Sequence, residues 1–396
     1  MEFNPILHKI RTPIKLFNIT GVGGFEQGTL LELWGNPKSG KSTFCYQTAQ
    51  AFLEDYGDTA RVLILDAENS ANLLRLKTVF NLKPCNVGRG RDLDERVFVE
   101  PAITLEQGMN TTLKYIKQAK DDGKFLLVIW DSITVSSPEK EYEEILASVE
   151  SDKEVNNFSG GMMLRPRVLK FVLNQILAHS SNAPVTVLLI NQATTAITRF
   201  GGREDSSGGY GLKHNIHYRI QFNWSGATQD KENDSLKTET LSQVTVNKSK
   251  HIPSLQKIPI VISDTDGGRI DPSAELITFL RDAGVIKKKG AWNTFGDELI
   301  DRYAADHGNL SDDEVAKLKK NFMQNDARTR QDILDVCTWF LTGWFRDKYT
   351  LVNAAYEEYE TELKFVPPSD VTPVDITNVV WGSGAKKAEP ETVDAD

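Results

Sequence analysis

The sequence predicts an α/β fold: a mainly parallel sheet with an antiparallel extension and helices on both faces, followed by a small C-terminal helical domain. Three observations predict it. Short apolar runs, Leu30 to Trp34, Arg61 to Asp66, Phe125 to Asp131 and Val185 to Asn191, recur with helical stretches between them, the texture of strands buried on both faces. After Gly209 the texture changes to alternating strands, His217 to Trp224, Leu241 to Asn247 and Lys257 to Ser263. Polar turns such as Gly226 to Asp230 join them, so the same sheet is expected to continue antiparallel. From about Asp271 the chain becomes predominantly helical. Ser311-Asp312-Asp313-Glu314 is a capping box there, and the aromatic stretch Trp339 to Phe345 needs a packing partner.

Composition bounds what such a chain can be. With 396 residues it can bury one large core and a smaller appendage. A hydrophobic share of 40% and a charged share of 26% exclude collagen-like and disordered classes. No apolar run approaches the roughly 18 residues of a membrane span, and Met1-Glu2-Phe3-Asn4-Pro5 lacks a basic-then-apolar leader, so a cytoplasmic protein without a membrane partner is expected. Cys45, Cys85 and Cys337 are scattered and lack C-x-x-C spacing, which argues against a disulfide framework and a zinc site. A net charge of −9 requires any nucleic-acid contact to be local.

One stretch carries chemistry by itself. Gly35-Asn36-Pro37-Lys38-Ser39-Gly40-Lys41-Ser42 matches G-x-x-x-x-G-K-[ST] in full, between an expected strand and an expected helix that begins with Thr43 close behind. Successive N–H groups of such a loop form an anion nest at a helix N-terminus, which holds a triphosphate by aligned dipoles. ATP is the expected ligand, with Lys41 bridging the β- and γ-phosphates and Ser42 ligating Mg²⁺. The strand Leu126 to Asp131 ends in a carboxylate, the form of a Walker B segment whose aspartate reaches the Mg²⁺ shell through water; an Asp that caps the next turn has the same pattern. Glu68 lies just past the end of the Val62 to Asp66 strand, where the γ-phosphate and its attacking water belong, although a surface glutamate reads identically.

Five further motifs follow in order: Asp66-Ala67-Glu68, Asp131-Ser132, Leu189-Ile190-Asn191-Gln192, Gly208-Gly209-Tyr210-Gly211-Leu212-Lys213, and Val246-Asn247-Lys248-Ser249-Lys250. In order and approximate spacing they resemble the RecA-family recombinases, in the form of the bacterial RecA and phage UvsX-like branch. Ala274-Glu275-Leu276 through Gly290-Ala291-Trp292 resembles the end of that core, so the similarity covers roughly residues 11 to 296.

The resemblance implies a RecA-like P-loop ATPase core and a role for each matching residue. Glu68 matches the glutamate that orients and deprotonates the attacking water, and Gln192 the glutamine that senses the γ-phosphate. Lys248 and Lys250 match a lysine pair that reaches across a protomer interface onto the neighbour's nucleotide; from spacing alone they are a solvated strand edge. Arg75 falls where the family stacks adenine, with a guanidinium in place of the expected aromatic ring. Single-stranded DNA would be gripped by two segments. The first is Phe158, Gly160, Gly161 and Met162, followed by a helix carrying Arg165 and Arg167. The second is a long irregular connector, residues 193 to 208, with Thr194, Thr195, Thr198, Arg199, Phe200, Gly201, Gly202 and Arg203.

The implied organisation is a short arm over residues 1–10, a core over 11–296, a helical domain over 297–366 and a disordered acidic tail over 367–396. The acidic run Glu139 to Glu144 is expected as a solvated helix, and His214 and His217 as packing residues. The implied function is ATP-dependent homologous recombination: assembly on single-stranded DNA, pairing with homologous double-stranded DNA, and DNA-stimulated hydrolysis of ATP with Mg²⁺. A homo-oligomer is implied, with a helical filament as the first form and a ring as the second. The rival readings are a RecA-core motor, such as a hexameric helicase or repair accessory ATPase, and a regulatory nucleotide-binding protein without strand exchange.

Overall fold

In the computed structural model, residues 8–365 are described apart from 70, 88–92, 151–163, 181–182, 199–200, 208, 231–235, 251–252, 256, 266, 309 and 325. Residues 1–7 of the expected arm and the expected tail therefore lie outside the described residues. The centre is a sheet of ten strands: β1 Leu30–Gly35, β2 Ala60–Asp66, β3 Val97–Pro101, β4 Phe125–Asp131, β5 Val185–Thr198, β6 Gly201–Ser206, β7 Tyr218–Gln229, β8 Lys237–Lys248, β9 Ile258–Ser263 and β10 Arg269–Asp271. Their order is β10-β9-β8-β7-β1-β5-β4-β2-β3, with β6 paired to β5 off this path. Neighbours from β7 to β3 run parallel, and those from β7 to β10 antiparallel.

The apolar runs become the parallel strands because each must be covered twice. Val62, Ile64, Leu127 and Ile129 face one hydrophobic cluster. Leu63, Leu65, Leu126, Val128 and Trp130 face the other, as the two-residue period of a strand requires. Helix Lys41–Tyr56 contributes Phe44, Ala49 and Phe52 to the first cluster. Helices Leu105–Asp121 and Leu164–Ser180 cover the second with Met109, Ile116, Leu173 and Ile176. Gly108 permits that approach, since a Cβ there would sit 2.3 Å from the Trp130 ring. The acidic helix Glu139–Glu150 buries none of its residues.

Register sets the site. Gly35 lies beside Gln192 on one flank and Phe222 on the other, while Asp66 lies beside Asp131. The loop after β1 and the ends of β2, β4 and β5 thus share the carboxyl edge of the sheet, where α/β proteins place ligands.

The antiparallel half corrects the expected turn. Gly226 to Gln229 belongs to β7, and the chain reverses after Asp230, whose N–H donates to Leu236 O at 2.8 Å. The β7–β8 register slips between Leu241 and Ser242, opposite Gly226 and Trp224, so the glycine marks a bulge in a continuing strand. The connector 193 to 208 is likewise a β-hairpin, with Ala193 paired to Ser206 and Thr198 to Gly201. The β-branched run Thr194-Thr195-Ala196-Ile197-Thr198 favours extension, and a return strand supplies its hydrogen bonds.

After residue 271 the chain is helical, as expected, over Pro272–Asp282, Asp297–His307, Asp312–Leu318, Gln331–Lys348 and Thr350–Phe365. A three-stranded antiparallel sheet of Ile286–Lys289, Trp292–Phe295 and Phe322–Met323 lies among them, which the helical pattern did not show. The Ser311–Glu314 capping box forms. Trp339 packs edge-on against Tyr303, centroids 5.3 Å apart, and Phe345 meets Phe279 at 5.9 Å. These side chains share one cluster with Ile10, Phe17 and the sheet, and Tyr356 donates its hydroxyl to Ile19 O at 2.8 Å.

Candidate functional site

The loop after β1 turns through Lys38 and Gly40 at positive φ, and Gly35 at φ 142°. A Cβ on Gly35 would lie 1.9 Å from Phe222 O, so only glycine fits where the loop leaves the sheet. Lys41 opens the following helix and is only 8% exposed. Its ammonium donates to Gly35 O at 3.0 Å and Asn36 O at 2.8 Å, folded onto its own loop. Burial lowers its pKa to about 8, against the pull of Asp131 and Glu68.

Beside it, Ser42 Oγ donates to Asp131 Oδ2 at 2.8 Å, and the Tyr46 hydroxyl to the same oxygen at 3.4 Å. Burial pushes the Asp131 carboxyl up to about 6. Glu68 and Asp66 add to the rise, and the hydroxyls of Ser42 and Tyr46 oppose it. Two acceptor groups, one hydroxyl and one carboxylate, suit Mg²⁺, which keeps most of its shell for water and phosphate oxygens. The inturned lysine, the glycine loop and this pair fit a Mg²⁺-bound triphosphate.

Glu68 is exposed at the end of β2. Its Oε1 accepts from Ser132 Oγ at 2.7 Å and from Gln192 Nε2 at 3.1 Å. Alongside the loop lies a cavity of about 780 Å³ lined by Lys38, Thr43, Asn72, Arg75, Lys237 and Gly267, among others. Arg75 is fixed on its wall. Nη2 donates to Thr43 Oγ1 and Gly268 O, both at 3.1 Å, Nε donates to Gly267 O at 3.2 Å, and the guanidinium lies 5.1 Å over the Phe80 ring.

The sequence-derived residues thus separate into groups. Gly35 to Thr43, Glu68, Arg75, Asp131 and Gln192 converge on one edge. Lys248 and Lys250 do not join them, because β8 runs antiparallel to β7: Lys237 at its start lines the cavity, whereas Lys248 at its end pairs with Arg219, below the loop. Lys248 Nζ donates to Lys213 O at 2.7 Å and His214 O at 3.3 Å; burial lowers its pKa, with Lys250 and Arg219 adding to the effect. Lys250 is exposed.

Phe158, Gly160, Gly161, Met162, Arg199 and Phe200 lie outside the described residues. Arg167 and Thr194 are exposed. Arg165 instead turns inward, its Nη2 donating to Ile133 O at 2.6 Å and Thr134 O at 2.7 Å, because the turn after β4 leaves those carbonyls unpaired. Thr195, Thr198, Gly201, Gly202 and Arg203 are backbone partners in the hairpin. His217 accepts from Leu30 N at 3.1 Å.

Sequence reasoning passed over Glu32, Thr134 and Arg219. Glu32 is fully buried in β1 and takes a hydrogen bond from Asn191 and an ion pair from Arg219. A signal was present: one carboxylate inside Leu30-Leu31-Glu32-Leu33-Trp34 demands a partner, since an isolated buried charge is too costly to keep.

The model of the RecA N-terminal domain matches residues 10–267. The chain belongs to the RecA family. It is 26% identical over 355 residues to "Protein RecA, chromosomal" of Lactococcus lactis subsp. lactis, covering 87% of this chain and 83% of that one. It is 30% identical over 288 residues to "Protein RecA" of Ureaplasma parvum serovar 3, covering 72% and 76%. "Protein RecA" of Cereibacter sphaeroides is 25% identical over 281 residues, covering 71% and 72%. RecA-family membership makes this an ATPase fold of DNA recombination and repair, binding ATP and DNA. Among the described residues no helix is long and apolar enough to cross a membrane.

Proposed function

We propose that the protein assembles on single-stranded DNA, pairs it with homologous duplex and couples that exchange to DNA-stimulated ATP hydrolysis. The observation that carries this reading is the bond between Glu68 and Gln192, which joins the group beside the expected γ-phosphate to the residue from which the β5–β6 hairpin springs.

In this reading the Gly35–Gly40 N–H groups cradle the phosphates, and Lys41 leaves the Gly35 and Asn36 carbonyls for a phosphate oxygen. Ser42 and Asp131 would hold Mg²⁺, which would supply charge neutralisation at the phosphates. The Arg75 plane, fixed from three directions, stacks on the base. Glu68 takes a proton as the water oxygen bonds to the γ-phosphorus and the bond to the β-phosphate oxygen breaks. Gln192, drawn to a γ-phosphate oxygen, releases Glu68 and moves the strand it belongs to, so nucleotide state reaches the hairpin that lies on DNA together with Arg167. Lys248 and Lys250, remote from their own nucleotide, complete the site of an adjoining protomer and tie turnover to assembly.

Electron microscopy with single-stranded DNA and a non-hydrolysable ATP analogue, paired with a strand-exchange assay, tests it. Helical filaments with homology-dependent exchange support the proposal. Closed rings with directional unwinding indicate a RecA-core motor, and unassembled protein a regulatory ATP-binding role; either overturns it.

A further inference from the structure

Glu32 stands three residues ahead of Gly35, 0% exposed, and both of its oxygens are engaged. Oε1 accepts from Asn191 Nδ2 at 2.8 Å, and Oε2 from Arg219 Nε at 2.5 Å. Each partner leads to a different part of the molecule. Asn191 adjoins Gln192; its Nδ2 also donates to Ser207 O at 2.7 Å, where the hairpin returns, and its Oδ1 accepts from Thr134 Oγ1 at 2.7 Å. Thr134 Oγ1 in turn accepts from Gln192 N at 3.0 Å.

Arg219 reaches the other way. Its Nη2 donates to Ser206 Oγ at 2.8 Å and Asp205 Oδ1 at 3.3 Å, on the return strand of the hairpin, and its plane lies 5.4 Å over the Trp34 ring. Asp205 also accepts from Lys213, and Lys213 O accepts from Lys248 Nζ at 2.7 Å. One unbroken series of hydrogen bonds therefore runs from Gln192 through Asn191, Glu32, Arg219, Asp205 and Lys213 to Lys248. The bond between Glu32 and Asn191 is fully buried and those of Arg219 and Asp205 are partly so, and at the buried centre each lost partner leaves a costly orphan. Such a set has few alternative arrangements, so a shift at Gln192 must either be resisted or passed on whole.

We infer that Glu32 and Arg219 are positioning residues that link the Gln192 end of the nucleotide site to the hairpin and the Lys248 strand, so that DNA-stimulated turnover depends on their pairing while nucleotide binding does not. This rests on the proposed function, in which Gln192 responds to the γ-phosphate and Lys248 acts on an adjoining protomer. Neither residue touches the cavity beside the Gly35–Gly40 loop. A pair that served folding alone would affect every activity in proportion.

The test uses the full chain as Glu32→Gln, Arg219→Lys and the double variant. ATP hydrolysis is measured with and without a single-stranded oligothymidylate, beside the affinity for a fluorescent ATP analogue in the absence of DNA. The expected result is unchanged analogue affinity, KM and DNA-free rate, with DNA-stimulated kcat reduced about tenfold and the double variant no worse than the more impaired single one. Asp205→Asn, at the partly exposed end of the series, gives the same selective loss where the buried variants fold poorly. Stimulation equal to wild type in a folded variant, or DNA-free and stimulated rates falling in parallel, overturns the inference. A wild-type protein that DNA does not stimulate removes the proposed function instead, and this inference with it.

Discussion

The side-chain amide of Gln192 donates to the Glu68 carboxylate oxygen that also accepts from Ser132, at 3.1 Å and 2.7 Å respectively. In the proposed reaction that oxygen receives the proton of the attacking water, and Gln192 contacts the γ-phosphate. In that reading the move of the amide onto the phosphate leaves the Glu68 oxygen free to take the proton. Sensing and base activation are thereby mutually dependent, and they are separable by substitution.

Glu68→Gln should keep affinity for nucleotide and DNA while kcat falls by about 10² to 10⁴, the usual contribution of a general base. Gln192→Ala should keep nucleotide affinity and DNA-free turnover but lose stimulation by DNA. Steady-state rates with and without single-stranded DNA check both, and normal turnover by the Glu68 variant would remove that residue from its role.

Lys41 is a desolvated cation that donates to two carbonyls of its own loop and is drawn to Asp131 and Glu68. Its removal should cost the ligand-free fold little, because a buried charge with modest compensation is lost. It should cost nucleotide binding nearly everything. Thermal unfolding reads both: Lys41→Ala should melt within a few degrees of wild type alone, yet lack the stabilisation of about 2.7 kcal/mol that a ligand at a hundred times its Kd confers.

Lys248 and Lys250 lie on the side of β1 away from Glu68, so their test is complementation between chains. The protein with Lys248→Ala and Lys250→Ala should bind nucleotide normally and lack DNA-stimulated turnover. Mixed with Glu68→Gln protein, it should regain part of that activity, since some interfaces then join intact lysines to an intact glutamate. Two inactive proteins that stay inactive together refute the assignment across an interface.

The nucleotide edge was legible because its parts are local in sequence. A glycine loop, a strand-end Asp131 and a Glu68 two residues past β2 each carry their chemistry within a few positions, and parallel register does the rest. Thr194 to Thr198 favours extension, but its partner, residues 201–206, carries no such local mark, so the segment reads as irregular from the sequence. The strands at Ile286–Lys289 and Trp292–Phe295 are likewise unmarked, being too short for a period to show. The type of Arg165 suits phosphate, but the two carbonyls that claim it are some thirty positions away in sequence, at 133 and 134.

Glu275 supplies a prediction about stability. It is 1% exposed on helix Pro272–Asp282, and it accepts a hydrogen bond from the backbone of Lys15, which docks the segment Lys15–Thr20 against that helix. Burial pushes its carboxyl up to about 8, from an ordinary 4.5, while the Lys15 and Leu16 N–H groups pull the other way. A folded-state value above the unfolded one means that the folded chain holds this proton more tightly. Its contribution is therefore fully present below about 4.5, declines as pH rises, and is gone above about 8. The unfolding free energy of the wild type, read from urea titrations, should fall across this window by an amount on the order of a few kcal/mol, and the urea midpoint with it. Asp131, raised to about 6, adds a slope of the same sign at the acidic end. Glu275→Gln keeps an acceptor for Lys15 N and has no proton to lose, so its midpoint should match or trail wild type at pH 5 and exceed it at pH 9. Parallel profiles for the two proteins would mean that the carboxyl keeps one protonation state throughout, and that the docking of the first helix is indifferent to pH.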